Sequence, residues 1–264
     1  MADRKELAVT FDGSFEGFLC IIYAYYYDGI IPLYIQTDED YQQALDVEEY
    51  HVSTDLDKAM QVQLGIRNKI SAQAEGYLAY NFLAEGNDKY MEMFRYILLG
   101  FKVGYKVDNH MQQDYVMGVQ KRARYVGREA HLLFGFTRFA ETKQGIFYSA
   151  ISPINDVLEL VAEHFRDRMM NQTWVVHDKK RHKAAVYDGN EYAIGDVPKS
   201  VNVEFGDKEE FIQDLWAAFF ESVTIKERIN KPLQRNLLPL HFRKNMLEFQ
   251  TQMTQMTMAQ KNVK

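Results

Sequence analysis

Two short segments carry side chains of the types used in general acid–base catalysis. Glu129 stands two residues before His131, and His177 is followed directly by Asp178 at the end of an apolar run. A carboxylate and an imidazole within reach of one substrate can transfer protons near neutral pH. Each segment also has a structural interpretation, in which Glu129 pairs with Arg122 and the His-Asp dipeptide caps a turn. Both interpretations stay open here, and the turn is the favoured one for the second segment.

When residues 119–131 are placed on a helix, their apolar and their basic side chains fall on opposite sides. One side then holds only small and aliphatic residues, and Arg122 lies with Glu129 on a flank. The side opposite the apolar one holds no acidic residue and four basic or titratable ones, which are Lys121, Arg124, Arg128 and His131. Cations spaced by a helical turn can contact successive phosphates. The pattern predicts phosphate contact, with an ordinary solvated face as the alternative.

Further basic residues follow along the chain, in a turn at residues 177–183 and around the last helices. A basic loop beside a sheet is a common solubility feature, so each segment alone is a weak signal. Five arginines along the chain are therefore added to the candidate nucleic-acid contacts on the basic side of the helix. These are Arg122, Arg138, Arg181, Arg228 and Arg235.

The motifs of several enzyme classes are absent from the sequence. It contains neither a Walker A phosphate loop nor a GxSxG nucleophile elbow, and none of its seven histidines belongs to an HExxH pair. The single cysteine, Cys20, excludes an intrachain disulfide and an iron–sulfur cluster held by several of the chain's own cysteines. We therefore predict no metal site and no cofactor.

The charge of the chain is unevenly distributed. Its 264 residues carry a net charge of −6, but residues 1–118 hold 9 basic and 19 acidic residues, whereas residues 119–264 hold 22 and 18. The second part can therefore meet a polyanion while the whole chain stays acidic, with ordinary variation along the sequence as the alternative. The N-terminus lacks the pattern of a signal peptide, and the most apolar stretch, 18–35, is interrupted by Asp28 and Pro32. We expect a cytoplasmic protein without a membrane span.

The residues before the basic helix show mainly helical periodicity. A short strand at 7–11 precedes a first helix capped by Ser14, the acidic stretch 36–50 predicts a loop, and 47–53 a second strand. Four further helices are expected to begin near Thr54, near Ser71, at Asn87 or Asp88, and near Met111, the last ending near Leu133.

Apolar residues then alternate with polar ones, which indicates strands. Hairpins are predicted around turns at 142–145 and 188–190, with the first strand pair at 134–140 and 146–152. The other elements are helices at 155–169, 207–228 and 241–249 and strands at 174–177, 184–187 and 191–194. The helix at 207–228 has a wide apolar face, which predicts burial between two elements.

These elements predict an α+β protein, with an N-terminal helical part packed on a mostly antiparallel sheet with C-terminal helices. We expect a single unit over 7–249, with a mostly helical part at 7–133 and an antiparallel sheet plus helices at 134–249. The residues 250–264 lack apolar periodicity and predict a frayed tail.

Four segments, taken together, carry a family resemblance. They are FDGSFEGFL from Phe11, RYVGREAH from Arg124 with GFTRF after it, HFRDR from His164 with WVVHD after it, and the segment from Leu215 to Arg235. Over about residues 7–248 the chain resembles a bacterial family of DNA metabolism or DNA repair proteins. The resemblance implies a neighbouring radical S-adenosylmethionine (radical SAM) protein as partner, and a uracil-DNA glycosylase joined to some members. The chain has no CxxxCxxC motif, so the cluster for radical chemistry would belong to the partner.

Three functions are consistent with these observations. The first is a DNA-binding accessory protein that holds DNA for a radical SAM or glycosylase partner. The second is an enzyme that acts on DNA by acid–base chemistry through Glu129, His131, His177 or Asp178. The third is a protein-interaction scaffold whose basic face is only solvated.

Overall fold

The computed structural model describes residues 6–42, 47–198, 202–225, 228, 230–246 and 249. It has the predicted α+β class, with helices and two separate sheets.

The chain divides into two compact units, Met1–Gly127 and Arg128–Lys264. The predicted organisation as a single unit over 7–249 stays a prediction, and the expected tail at 250–264 lies outside the described residues. Within the described part, no helix combines the length and the hydropathy needed to cross a membrane.

The first unit combines a small sheet with helices. In chain order it contains β1 (Glu6–Phe11), α1 (Phe15–Tyr27), β2 (Ile31–Thr37), β3 (Glu49–Val52), α2 (Leu56–Lys69), α3 (Ala72–Phe82), α4 (Asp88–Val103) and a 3-10 helix (Gly104–Asn109). The next helix, α5 (Asp114–Phe136), begins in this unit, and the boundary between the units falls within it. The four helices expected before residue 133 are confirmed, and the last of them continues to Phe136 rather than ending near Leu133.

The sheet of the first unit is parallel, with the strand order β2-β1-β3. Strands β1 and β3 lie where the sequence places them, but β2 was not predicted, and the loop expected at 36–50 overlaps its end. A parallel strand pairs with a partner far along the chain, so its own sequence does not identify that partner. The core under the sheet includes Phe11, Phe18 and Tyr90, whose rings lie 5.1–6.4 Å apart.

Side-chain caps fix the starts of the first three helices. Ser14 Oγ accepts a hydrogen bond from Gly17 N, and Ser71 Oγ accepts one from Ala74 N, both at the predicted cap positions. Helix α2 is capped by Asp55 rather than by the expected Thr54. Thr54 instead donates its hydroxyl hydrogen to Asp12 Oδ2 at 2.7 Å, which ties the end of β3 to the end of β1.

Helix α1 comes close to the residues that follow β1 and β3 at Gly17. A Cβ atom there would lie against Asp12 Oδ1 and 2.7 Å from Thr54 Oγ1. Asp12 Oδ1 cannot move away freely, because it accepts hydrogen bonds from Ser14 N and Ser14 Oγ. We therefore expect Gly17→Ala to lower the free energy of unfolding by about 1–3 kcal/mol, although alanine favours helices. Calorimetric unfolding measures this change.

The matched control is Gly76→Ala in α3, where a Cβ atom would have no neighbour within 4 Å. Removing glycine from a helix without a clash stabilises by about 0.4–1 kcal/mol. A Gly17→Ala protein stabilised to the same degree as Gly76→Ala would contradict the packing described.

The second unit is built on a five-stranded sheet of order β4-β5-β6-β7-β8. After the end of α5 it contains β4 (Ala140–Glu141), β5 (Phe147–Ile151), α6 (Leu158–Arg168), β6 (Trp174–Asp178), β7 (Lys183–Tyr187), β8 (Tyr192–Asp196), α7 (Glu209–Val223), α8 (Lys231–Leu237) and α9 (Leu240–Arg243). Only the β5–β6 pair is parallel, so the sheet is mostly antiparallel, as predicted. Helix α6 packs across β6, β7 and β8.

The first hairpin of this unit is shorter than expected. Its turn at 142–145 is confirmed, but α5 continues to Phe136 and the first strand contains only Ala140 and Glu141. The second hairpin turn is confirmed at 188–190, where Asp188 Oδ1 accepts hydrogen bonds from Asn190 N and Glu191 N.

Helix α7 differs from expectation in its burial. Its wide apolar face predicted packing on two sides, yet Phe211, Leu215 and Phe219 are 70 %, 59 % and 55 % exposed. The prediction is therefore wrong for these side chains, because apolar width identifies candidates for burial and not the element that covers them. The side chains of Phe220 and Glu221 on this helix lie outside the described residues.

Candidate functional site

Helix α5 presents the predicted basic side to solvent. Its apolar side is buried at Val119, Ala123, Val126 and Ala130. The opposite side is exposed at all four predicted positions, Lys121, Arg124, Arg128 and His131, which we call the basic stripe. Within the described residues, none of the Lys and Arg side chains of the basic stripe forms an ion pair with a carboxylate. The helix phase inferred from the sequence is confirmed, and the three permanent charges are available to a ligand.

One aromatic residue beside the basic stripe was not identified from the sequence. Tyr125 follows Arg124 on α5, and half of its side chain is exposed. Exposed aromatic rings among cations are a frequent feature of surfaces that bind single-stranded nucleic acids. Tyr125 follows Lys121 by four residues, which is about one helical turn, and this spacing is the signal that could have identified it.

The phase of α5 is testable through Ala123, which is 5 % exposed on the apolar side. We expect Ala123→Leu to lower the free energy of unfolding by about 1–3 kcal/mol, because the added methyl groups overpack a filled site. Denaturant unfolding measures the change, and Ala79→Leu at an exposed position of α3 is the control. Equal stability of the two variants would show that the phase is wrong.

Arg122 takes no part in the basic stripe. Its guanidinium donates hydrogen bonds to Glu92 Oε2 at 2.6 Å and to Asp88 Oδ2 at 2.7 Å, both on α4. The proposed pairing of Arg122 with Glu129 is therefore wrong. Arg122 is a predicted nucleic-acid contact that the structure instead places in ion pairs between α5 and α4.

Glu129 is a buried anchor for the loop at 152–157 between β5 and α6. Its carboxylate, 4 % exposed, accepts hydrogen bonds from Ile154 N at 2.8 Å, Asn155 N at 2.9 Å and Asn155 Nδ2 at 2.6 Å. His241 Nε2 lies 3.7 Å from Glu129 Oε1. The carboxylate oxygens are thus largely occupied by the loop.

The same loop is held from its other side by the β6–β7 hairpin. Arg181 donates to Ile154 O and Pro153 O, and Lys180 Nζ donates to Ile154 O at 3.0 Å. Asp178 is fully buried and orients Arg181, because Asp178 Oδ2 accepts from Arg181 Nη1 at 3.0 Å. Asp178 Oδ1 also accepts hydrogen bonds from the backbone N–H groups of Lys180 and Arg181. These are the contacts of a residue that caps a turn. Glu129, Asp178 and Arg181 are therefore brought to one loop, in a structural arrangement.

His177 lies on the opposite face of β6 from Asp178 and is 5 % exposed. Its Nδ1 is 2.8 Å from the Tyr148 hydroxyl, and its Nε2 has no hydrogen-bond partner among the described residues. Burial lowers the pKa of His177, with a smaller contribution from Lys179 that the charge of Asp178 opposes. The fold therefore favours the uncharged imidazole more than water does.

This lowered pKa has a consequence for stability. In the unfolded chain a histidine takes up a proton near its ordinary pKa of 6.5, whereas folded His177 takes one up only at lower pH. Below pH 6.5 the unfolded state therefore binds more protons than the folded state does, and the free energy of unfolding decreases as the pH falls through this range. We expect His177→Gln to reduce this loss of stability at low pH. Denaturant midpoints over a pH series measure the effect, and His110→Gln, which replaces a histidine elsewhere in the chain, is the control. If the stability of the His177→Gln protein varied with pH as that of the original chain does, the lowering of the His177 pKa by burial would be contradicted.

A cavity of about 490 Å³ opens at the C-terminal end of α5, within the second unit. His131 of the basic stripe and Arg138 line it, which are two residues singled out from the sequence. Phe134, His164 and Arg168 also line it and were not identified as site residues, because α6 brings the last two there from a distant part of the chain.

The remaining candidates lie elsewhere. Arg228 and Arg235 are exposed. Among the residues that the structure describes, no three His, Cys, Asp or Glu side chains come together in an arrangement that could hold a metal ion.

Comparison with known proteins gives one match. The family model described as a domain of unknown function, DUF4130, matches residues 87–248, which include the basic stripe and the cavity. No curated protein and no solved structure matches the chain.

Proposed function

The chain belongs to the DUF4130 family, a domain family of unknown function, and we propose that it binds nucleic acid through helix α5. The observation that carries this proposal is the basic stripe, in which Lys121, Arg124 and Arg128 are exposed and without a carboxylate partner among the described residues. Solvated helix faces usually mix both signs of charge. A face that holds only cations, on a chain with a net charge of −6, creates a local positive potential suited to phosphates.

The contacts of the candidate catalytic residues favour binding over acid–base catalysis. Glu129 and Asp178 use their oxygens for a loop and a turn, and His177 is buried beside Tyr148. His131 alone is exposed, and it lies in the basic stripe. A general acid or base must be within hydrogen-bond reach of the proton that it transfers, and of these four candidates only His131 is accessible to a substrate.

We further propose that the nucleic acid is DNA and that the chain is an accessory to a radical SAM enzyme. The resemblance of the four sequence segments to DNA metabolism proteins supports this role. With Cys20 as its single cysteine the chain cannot supply the three cysteines of a radical SAM cluster, so in this proposal the partner carries the cluster. A uracil-DNA glycosylase is the alternative partner.

Salt dependence tests the binding function. Fluorescence anisotropy of a labelled duplex, titrated with the full chain at several salt concentrations, gives the slope of log K against log salt. Three cations on phosphates predict a slope near −2.7, at about −0.9 for each phosphate neutralised. A scaffold with a merely solvated face would show no affinity at low salt, and that outcome would refute the proposal.

The accessory role has its own test. Co-purification of the chain with a radical SAM protein encoded beside it, with and without DNA, should yield a complex. Turnover of DNA by the isolated chain would instead favour a direct enzymatic role.

A further inference from the structure

We infer that the cavity at the end of α5 receives one unpaired base of a single-stranded nucleic acid, with a neighbouring phosphate held by arginine. This inference rests on the proposed function and adds the strand state to it. We call the cavity the base pocket, and its lining includes His131, Phe134, Arg138, His164 and Arg168.

The base pocket contains a ready stacking surface. The rings of Phe134 and His164 lie parallel, with centroids 4.2 Å apart and an interplanar angle of 7°. Both residues line the cavity and are only half-buried, so part of the ring pair is accessible. A nucleobase stacks on such a ring regardless of its identity, and stacking of this kind binds single strands without sequence preference.

The charges around the base pocket suit a phosphate. Arg138 and Arg168 line it, and no Asp or Glu is among its described lining residues. Arg168 is exposed and forms no ion pair within the described part of the chain. Burial lowers the pKa of His164, and the charges of Arg168 and His131 lower it further against a raising effect of Asp167. The exposed Arg168 is therefore the cation to which we assign the phosphate.

Arg138 is positioned by the end of helix α5. Its Nη1 donates to Gly135 O at 2.7 Å, one of the carbonyl groups left without a helical partner in the last turn. The guanidinium also lies over the Trp216 ring, at 5.7 Å from the ring centroid. These contacts hold the guanidinium at the cavity.

The size and place of the base pocket indicate a single strand. A volume of about 490 Å³ lies within the range of small-molecule sites and accommodates a nucleotide, but not a stacked base pair within a duplex. A base can enter only when it is out of the stack, as in a single strand or a flipped nucleotide. His131 belongs to both the base pocket and the basic stripe, so a strand lying along α5 from Arg128 reaches the cavity within one turn.

The test compares two probes on the full chain by fluorescence anisotropy. One is a labelled oligothymidine of about 12 nucleotides, within the length that a single-strand site covers, and the other is a duplex of the same length. The variants are Phe134→Leu, which removes the stacking ring, and Arg168→Gln, which removes an exposed cation. Their controls are Phe136→Leu, a half-buried ring outside the cavity lining, and Arg166→Gln on the same helix.

We expect Phe134→Leu to weaken oligothymidine binding about five-fold or more and to leave duplex binding unchanged, since one stacked base is lost. Arg168→Gln should weaken oligothymidine binding several-fold, and both controls should bind as the unchanged chain does. Arg168 is exposed, so its variant tests the base pocket even if Phe134→Leu does not fold.

The outcomes separate the two proposals. If the unchanged chain binds neither probe at low salt, both the proposed function and the base pocket are refuted. If it binds the probes but Phe134→Leu and Arg168→Gln match their controls, the base pocket is refuted and nucleic-acid binding stands. Photo-cross-linking with one 5-iodouracil in the oligothymidine adds a direct readout. Adducts on Phe134 or His164 support the pocket, and adducts confined to other peptides overturn it.

Discussion

Replacing Arg124 and Arg128 together by glutamate is expected to weaken nucleic-acid binding by roughly 10- to 100-fold without unfolding the chain. Each contact from an exposed cation to phosphate contributes about 1 kcal/mol, and charge reversal adds repulsion. Both side chains point away from the buried side of α5, so the core is untouched. The slope of log K against log salt should become shallower by about 1.8, which reports two fewer phosphate contacts.

A matched double reversal keeps the total charge the same and places it elsewhere. Lys102 and Lys106 are exposed cations outside α5, and their replacement by glutamate should leave affinity and salt slope near those of the unchanged chain. If both double variants lose affinity equally, net charge rather than the basic stripe governs binding. Circular dichroism melting of all three proteins verifies that the fold is retained.

Glu129→Ala is expected to lower the free energy of unfolding by about 3–5 kcal/mol, the largest stability effect predicted for this chain. The substitution leaves three donors of the 152–157 loop, Ile154 N, Asn155 N and Asn155 Nδ2, without their acceptor. Unsatisfied buried donors cost about 1–3 kcal/mol each, and partial entry of water reduces the sum. Equilibrium urea unfolding measures the loss.

Two further substitutions separate anchoring from catalysis. Glu129→Gln keeps one acceptor oxygen in the same place and should be less destabilising than the alanine variant. Glu163→Ala removes an exposed carboxylate on α6 and should change stability by less than about 0.5 kcal/mol. A stable Glu129→Ala protein that has lost a DNA-directed activity would reverse the interpretation and restore Glu129 as a catalytic candidate.

The helical features were predictable because their signals are local. Positions three and four apart in α5 determine which side is buried, so the exposure of Arg124 and Arg128 followed from spacing alone. The same holds for the Ser14 and Ser71 caps and for the turn at 188–190, where a few adjacent residues supply the whole interaction.

The parts that were missed depend on distant segments. Nothing in Ile31–Thr37 identifies β1 as its parallel neighbour, because the ladder uses backbone groups that every residue has. The donors that occupy Glu129 include the backbone N–H groups of Ile154 and Asn155, which carry no residue-specific signal. The base pocket likewise required α6 to bring His164 beside Phe134.

The order of strands in the first sheet has a consequence for synthesis of the chain. The central strand, β1, is complete at Phe11 and is synthesised before both of its neighbours, of which the second, β3, is complete only at Val52. Until then Val9 and Phe11, which are fully buried in the fold, have no complete sheet around them. Non-local parallel pairing of this kind forms slowly and leaves a nascent strand open to non-native association. The burial of the apolar side chains of β1 therefore depends on segments of the chain that are synthesised after it.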